Sequence, residues 1–511
     1  VRGKGFFMIE HLGRQGLARI AKYNGNILPT TVFLEEDGIK NYPIERLYED
    51  GVEIFGNFLK FPSIEEVAEN QLNKKYFIYG DIVVIPGLYT LLKRPHELLK
   101  RIIEVRMEIG FKKIIFAPHL ALPNTIPIFH YLGIDILDTN LGRINNTEIL
   151  EYAHMENVVK KFIELNELRV LVESIPDPLS KTLLRLSDSK YYEIFEKFYP
   201  VTGKFLNSSH FESIFRPDIQ RWRNRIIERY RKPEHEKYLL LLPCSAVKPY
   251  SKSSSHKYFI SLLRSSGKHL HEVIVTSPLG LVPRELEFTY PAAHYDIPVT
   301  GYWYGEEKEF ILKMLENYLK NNIYEKIIAY LPDDLSFLSE FLEEIGAIKI
   351  FGNLRENTNK EKLLEELKNL DNVKDSINEK IKSIARFQFG IDFPMENKKF
   401  SKKYDEIIVY NENEIYMHFL PNQGKIVLGK EAANYLKLNK KYTVEIDNFI
   451  PKGSIFVRGI KNASIEIREG DEVVIVSNDN LIGTGTATMS YYDMISQEHG
   501  EAVKVRKLFN V

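Results

Sequence analysis

Cysteine is all but missing from these 511 residues: Cys244 is the sole one. That excludes an internal disulfide and any zinc site built from several thiolates, and it fits a reducing cytosol. No metal and no cofactor is expected. Tryptophan (two) and methionine (eight) are scarce as well, in a chain rich in Lys, Glu and Ile, a balance found in thermophile proteins. No apolar run approaches the roughly 18 residues that a membrane helix needs, and no charged-then-apolar leader is present, so a cytoplasmic protein with no membrane partner is expected. Net charge is almost absent too, at −1. The chain therefore has no global field to draw in nucleic acid, and any such binding must come from local patches. What is present is 44% hydrophobic and 27% charged residues. That is the composition of globular domains, and more than one of them, since single cores stop growing at about 250–300 residues.

The first ~150 residues alternate short apolar runs with helical patterns (YFIYGDIVVIPGL, HELLKRIIEVRMEIGF, KKIIFAPHL, IDILD), which predicts an α/β domain with parallel strands. A mainly helical stretch follows to about residue 215. In RPDIQRWRNRIIERYRKPEHEK, Ile219, Trp222, Ile226 and Tyr230 make one apolar helical stripe, with Arg221, Arg223, Arg225, Arg229 and Arg231 around it. From Arg216 to Lys257 there are 11 Lys/Arg against 4 Asp/Glu. Such faces are commonly just solvated. The functional reading is a phosphate-contacting patch in which Arg221, Arg225 and Arg229 meet nucleic acid.

The run KYLLLLPCS is of strand length and ends at Pro243-Cys244. SSSHKYFISLLRSSGK reads as a capped helix, HEVIVTSPLGLVPREL as a strand and punctuated loop, EEKEFILKMLENYLK as a helix and EKIIAYLPDD as a third strand. Ligands of such open α/β sheets sit beyond the carboxyl ends of the strands, where both Cys244 and the Ser277–Tyr302 region fall. Beyond Tyr404 the pattern is strand-like to the end of the sequence.

A cysteine at a strand end is more often a small buried hydrophobe than a nucleophile. Here Lys248, His256 and the following helix amino terminus stand ready to favour its thiolate. The stretch Pro243, Cys244, Lys248, Pro249, Tyr250, Ser253 and His256 resembles the archaeosine synthase family, whose pattern P-C-x3-K-P-Y-x2-S-x2-H it meets at every position. SPLGLVPRELEFTYPAAHYDIPVTGYW is similar to the same family's core and adds Arg284, Glu285, Glu287, His294 and Asp296. The amino-terminal part resembles a reduced tRNA-guanine transglycosylase barrel, with Asp138 in the place of that family's nucleophile but without its zinc cysteines. It is read as a relic that helps hold tRNA. GSIFVRGI, REGDEVVIV, IGTGTATMS and GEAVKVRK are similar to a PUA domain. Pro451–Val511 carries 7 basic and 8 acidic residues, so the resemblance and not charge makes that assignment, with Lys504, Arg506 and Lys507 as its one basic cluster.

The resemblance implies an α/β multidomain archaeal protein. Its parts are a reduced TIM-barrel-like domain with a helical extension (1–215), an open parallel α/β core (216–350), a small α+β module (351–440) and a PUA β-barrel (441–511). It implies as substrate a tRNA carrying 7-cyano-7-deazaguanine in its D loop. The reaction adds an amine, from lysine or from glutamine, asparagine or ammonium, to the nitrile. In the lysine-using case a radical SAM partner completes archaeosine. A homodimer is expected by analogy with transglycosylases. The resemblance offers Cys244 as nucleophile, Lys248 as its activator or a binder of the donor's carboxylate, and His256, His294 and Asp296 for proton transfer. Tyr250, Ser253, Arg284 and Glu287 are read as substrate-binding. Two other classes stay open: a zinc-less transglycosylase and a non-catalytic tRNA-binding subunit.

Overall fold

The structure is a computed structural model. It describes residues 9–32, 44–48, 51–54, 57–60, 75–144, 146–186, 191–203, 205–208, 210–297 and 301–509, with only the backbone for 44–48, 51–53, 57–60, 143 and 144. The chain divides into two compact units, one built on residues 1–200 and one on 201–443, each completed by short stretches from beyond residue 443.

In the first unit, strands Thr30–Val32, Ile136–Asp138, Ile114–Phe116, Ile82–Val84 and Phe77–Tyr79 lie side by side in that order. All neighbouring pairs are parallel except the last, which is antiparallel. The alternating pattern read from the sequence is thus an α/β sheet. Among the described residues it has five strands rather than the eight of a complete barrel. Ile82–Val84 and Ile114–Phe116 are continuous apolar runs because both faces are covered there.

The second unit holds the core sheet. Its strands are β1 (Tyr238–Pro243), β2 (His271–Thr276), β3 (Gly280–Pro283), β4 (Lys326–Leu331) and β5 (Ile348–Phe351), in the order β3-β2-β1-β4-β5. β3 runs antiparallel to β2 and every other pair is parallel. Leu239 to Leu242 are all buried, each worth about 1.5–3 kcal/mol relative to exposure. Tyr238, Leu240 and Leu242 pack with Phe259, Leu262 and Leu263 of the helix Ser254–Ser266. The helices Pro217–Glu228 and Gly305–Asn321 pack on each other and on β3, and Trp222 Nε1 donates to Leu281 O at 3.1 Å.

A four-stranded antiparallel sheet follows between Lys399 and Leu428. Six strands between Thr443 and Leu508 then form one sheet. No helix among the described residues is long and apolar enough to cross a membrane.

Candidate active site

The strand order turns back between β1 and β4, the position at which open α/β sheets leave a crevice beyond their carboxyl ends. Cys244 follows β1 and Asp334 follows β4, and both line a cavity of about 190 Å³. The chain reverses there because Pro243 ends the ladder and the helix Ser254–Ser266 starts afresh: Ser253 Oγ accepts from His256 N at 3.2 Å, an N-cap.

Cys244 is half-buried. Burial pushes its thiol up, against the Lys248 charge and a Thr276 hydrogen bond, which pull it down. Lys248 is held below its ordinary value by burial, opposed by Cys244 and Asp296. Its ammonium nitrogen is buried, makes no hydrogen bond and lies 4.2 Å from the centre of the Tyr295 ring. Burial disfavours the charge on both partners, and the charge of each favours that of the other.

The other residues expected at the site divide. His256 is fully buried. Its Nε2 faces Pro243 O at 3.0 Å and its Nδ1 faces Arg284 Nη2 at 2.8 Å. Since Arg284 can only donate, Nδ1 accepts and Nε2 carries the proton. Burial and then the Arg284 charge hold the ring down at about 3. His256 thus stays neutral and contributes no positive charge to favour the thiolate. Arg284 also reaches Glu287 Oε2 at 3.1 Å and Glu272 Oε2 at 3.1 Å. Burial opposes its charge, but these two carboxylates outweigh that and raise it. Glu287 Oε2 accepts from Ser251 N at 2.8 Å. The set is a buried brace behind the loop.

Tyr250 is 0% exposed, bonds Tyr295 through their hydroxyls and has no face free to stack on a base. Glu285 is spent on His271 (3.2 Å) and Tyr230. His294 is half-buried against Tyr290, ring centres 6.2 Å apart, and burial lowers it. Asp296 is exposed; its backbone carbonyl accepts from Ser208 N at 2.9 Å. Neither lines the cavity, whereas Ile297 does.

The arginine helix is a correction. Its apolar stripe is buried as expected: Ile219, Trp222, Ile226 and Tyr230 are each at most 1% exposed. Arg221 is also buried. Arg225 is held down at about 10 chiefly by burial, and Arg229 donates to Gln388 O (3.2 Å) and Tyr442 Oη (3.1 Å). The surrounding segments cover the face that was read as a phosphate patch. Lys504, Arg506 and Lys507 do lie exposed on the last strand. Asp138 is fully buried, with both oxygens on His119 N (3.1 and 3.0 Å) and one on Asn140 N (3.1 Å); burial raises it.

Sequence reasoning placed the Ser277–Tyr302 region at this crevice but singled out none of the aromatics of the cavity's other wall. Tyr302 (69% exposed) and Tyr304 (51%) stand edge to face at 5.1 Å, Phe211 lies 4.8 Å from Tyr304, and Trp303 Nε1 donates to Asp334 Oδ2 at 3.0 Å. Glu307 accepts from Ser277 Oγ and, at 2.9 Å, from Tyr304 N. The signal was the run Tyr302-Trp303-Tyr304, three aromatics next to an acidic helix start.

A family model described as "Domain of unknown function (DUF5591)" matches residues 219–371, and the PUA domain model matches residues 443–509. Archaeosine synthase subunit alpha of Thermoplasma acidophilum is 32% identical over 98% of this chain and 100% of its own length. The protein of that name from Methanosarcina acetivorans is 31% identical over 86% of this chain and 80% of its own. A tRNA-guanine(15) transglycosylase of Methanothermobacter thermautotrophicus is 28% identical over 62% of this chain and 47% of its own length. A full-length relative above 30% identity, together with the matched PUA domain, settles the kinship: the chain belongs to the archaeosine synthase family.

Proposed function

We propose that this chain adds an amine to the nitrile of 7-cyano-7-deazaguanine in the D loop of tRNA, with Cys244 as a covalent nucleophile. The observation that carries the reading is the Cys244–Lys248 pair at the crevice between β1 and β4. Lys248 takes the thiol proton. The thiolate adds to the nitrile carbon, one C≡N π bond breaks, and Lys248 returns the proton to nitrogen, leaving a neutral thioimidate. The donor amine then attacks that carbon, the C–S bond breaks, and the thiol is regenerated beside an amidine. The exposed aromatics Tyr302 and Tyr304, rather than Tyr250, give the deazaguanine ring a stacking surface. Asp334 and Glu307 give the site negative charge that favours a cationic donor, lysine or ammonium. Glutamine and asparagine remain as neutral amide donors, and the lysine product passes to a radical SAM partner.

His256, Ser253, Arg284 and Glu287 serve as positioning residues, while His294 and Asp296 are assigned to the flank of the site. The four-part division at 215, 350 and 440 is the frame of this reading, with the amino-terminal part and the PUA domain holding tRNA and a homodimer as the assembly. The test is to incubate nitrile-bearing tRNA with the protein and, separately, lysine, glutamine, asparagine or ammonium, and to weigh the digested nucleosides. A nucleoside heavier by one intact lysine or by ammonia, absent with Cys244→Ala, is expected. Full activity of Cys244→Ala would sink the covalent step. Guanine exchange into unmodified tRNA would point to a transglycosylase, and binding without turnover under every donor to a tRNA-binding subunit.

A further inference from the structure

At the opposite, amino-terminal ends of β1 and β2, four side chains that the amidine chemistry does not use converge. His235 and Glu236 precede β1, His269 precedes β2, and Asp375 sits just before the helix Ile377–Phe389. One donor atom from each lies within 4.8 Å of the others. The two imidazoles stack, ring centres 5.8 Å apart at 18°, and both turn Nε2 toward the same two oxygens. His269 Nε2 is 2.8 Å from Glu236 Oε1 and 3.9 Å from Asp375 Oδ1. His235 Nε2 is 3.2 Å from Glu236 Oε1 and 3.8 Å from Asp375 Oδ1. Four ligands at the roughly 2.0–2.2 Å of zinc bonds, set tetrahedrally, stand about 3.3–3.6 Å apart. The spacing found here brackets that.

One further observation points to a cation. Glu236 has a side chain only 1% exposed, yet its Oε2 makes no hydrogen bond. A buried carboxylate with an unsatisfied oxygen is costly unless a cation pays part of that cost. The backbone N–H of Ser376 donates to His235 Nε2 at 3.3 Å, so that nitrogen carries no proton, and an ion that takes its lone pair displaces that one long bond. Lys380 Nζ is 2.7 Å from Asp375 Oδ1 and neutralises that one group, while Glu236 Oε2 stays without a hydrogen bond.

We infer that His235, Glu236, His269 and Asp375 form a binding site for a divalent transition ion, zinc foremost. Two imidazoles and two carboxylates are a donor set for Zn²⁺ rather than for Mg²⁺ or Ca²⁺, which prefer all-oxygen shells. Four protein donors close the shell, so the ion is structural. It pins the entrances of β1 and β2 to the start of the helix Ile377–Phe389, at the far end of the strand that carries Cys244. Loss of the zinc cysteines of transglycosylases therefore does not make this chain metal-free.

The test uses the full chain stripped with a chelator and titrated with Co²⁺ and Zn²⁺ alone. The expected result is saturation at about one ion per chain, intense visible absorption of the kind tetrahedral Co²⁺ gives, and a higher thermal midpoint with Zn²⁺, since an ion that binds only the folded state stabilises it. His269→Ala and Asp375→Asn should each lose the absorption and the thermal shift while Cys244 alkylates at the wild-type rate. That rate also shows that the variants are folded. No Co²⁺ spectrum and no thermal shift in the wild-type chain, or undiminished binding by both variants, would overturn the site. The outcome is independent of amidine formation, so it stands or falls separately from the proposed reaction.

Discussion

Cys244 is the sole cysteine, so every thiol reagent reports on it alone. Burial raises its thiol, and Lys248 partly offsets that. Lys248→Met should therefore slow alkylation by iodoacetamide at pH 7 by severalfold, each unit of thiol pKa being worth about tenfold in thiolate below the pKa. An unchanged rate would separate the two residues. Amidine formation should climb with pH below the depressed Lys248 value, because only the amine form accepts the thiol proton. The apparent pKa will belong to the pair rather than to either residue. His256 gives a second pH effect, on stability. Its folded value of about 3 lies below the ordinary 6.5, so the unfolded chain binds a proton that the folded chain refuses. The stabilisation is complete above 6.5 and is lost as pH falls from there toward 3. His11 and His130, both held down at about 4 chiefly by burial, act in the same direction. Acid titration of the thermal midpoint should show the descent beginning near pH 6.5, and His256→Gln should make it shallower.

At the scale of elements, the motif from Pro243 to His256 was legible because each part has a local cause: an apolar run ended by proline, then a serine N-cap. Ser253→Ala should cost about 1 kcal/mol of stability as a lost cap. It should also lower amidine formation more than it lowers tRNA binding, since the cap sets where the Cys244–Lys248 loop ends; chemical denaturation and a separate binding assay check the two parts. What local pattern could not reveal is which face of an element another segment covers. The helix Pro217–Glu228 shows its apolar stripe plainly, but the arginines around it looked like surface. Arg229 is in fact taken by Gln388 and Tyr442, more than 150 residues away in sequence. Tyr250 misled in the same way: an aromatic in a loop motif reads as a stacking group until its full burial and its bond to Tyr295 show it enclosed. Tyr302 and Tyr304 were not singled out, because an aromatic run before an acidic helix start does not by itself show which of its rings stay exposed.

At the scale of the whole molecule, a chain with net charge −1 must hold a polyanion through local groups. With the arginine helix covered, the exposed Lys504, Arg506 and Lys507 on the strand Glu501–Leu508 are the basic cluster that the sequence reading leaves available for a tRNA backbone. Each phosphate contact contributes about 0.7–0.9 to the slope of log affinity against log salt. Replacing all three by glutamine should weaken tRNA binding at low salt and flatten that slope by up to about 2–3, while leaving Cys244 alkylation unchanged, because the substitutions touch neither the thiol nor Lys248. A titration of fluorescent tRNA at several salt concentrations measures both quantities. Unaltered affinity and slope would assign tRNA docking to another surface and leave the PUA domain without the electrostatic role argued for it.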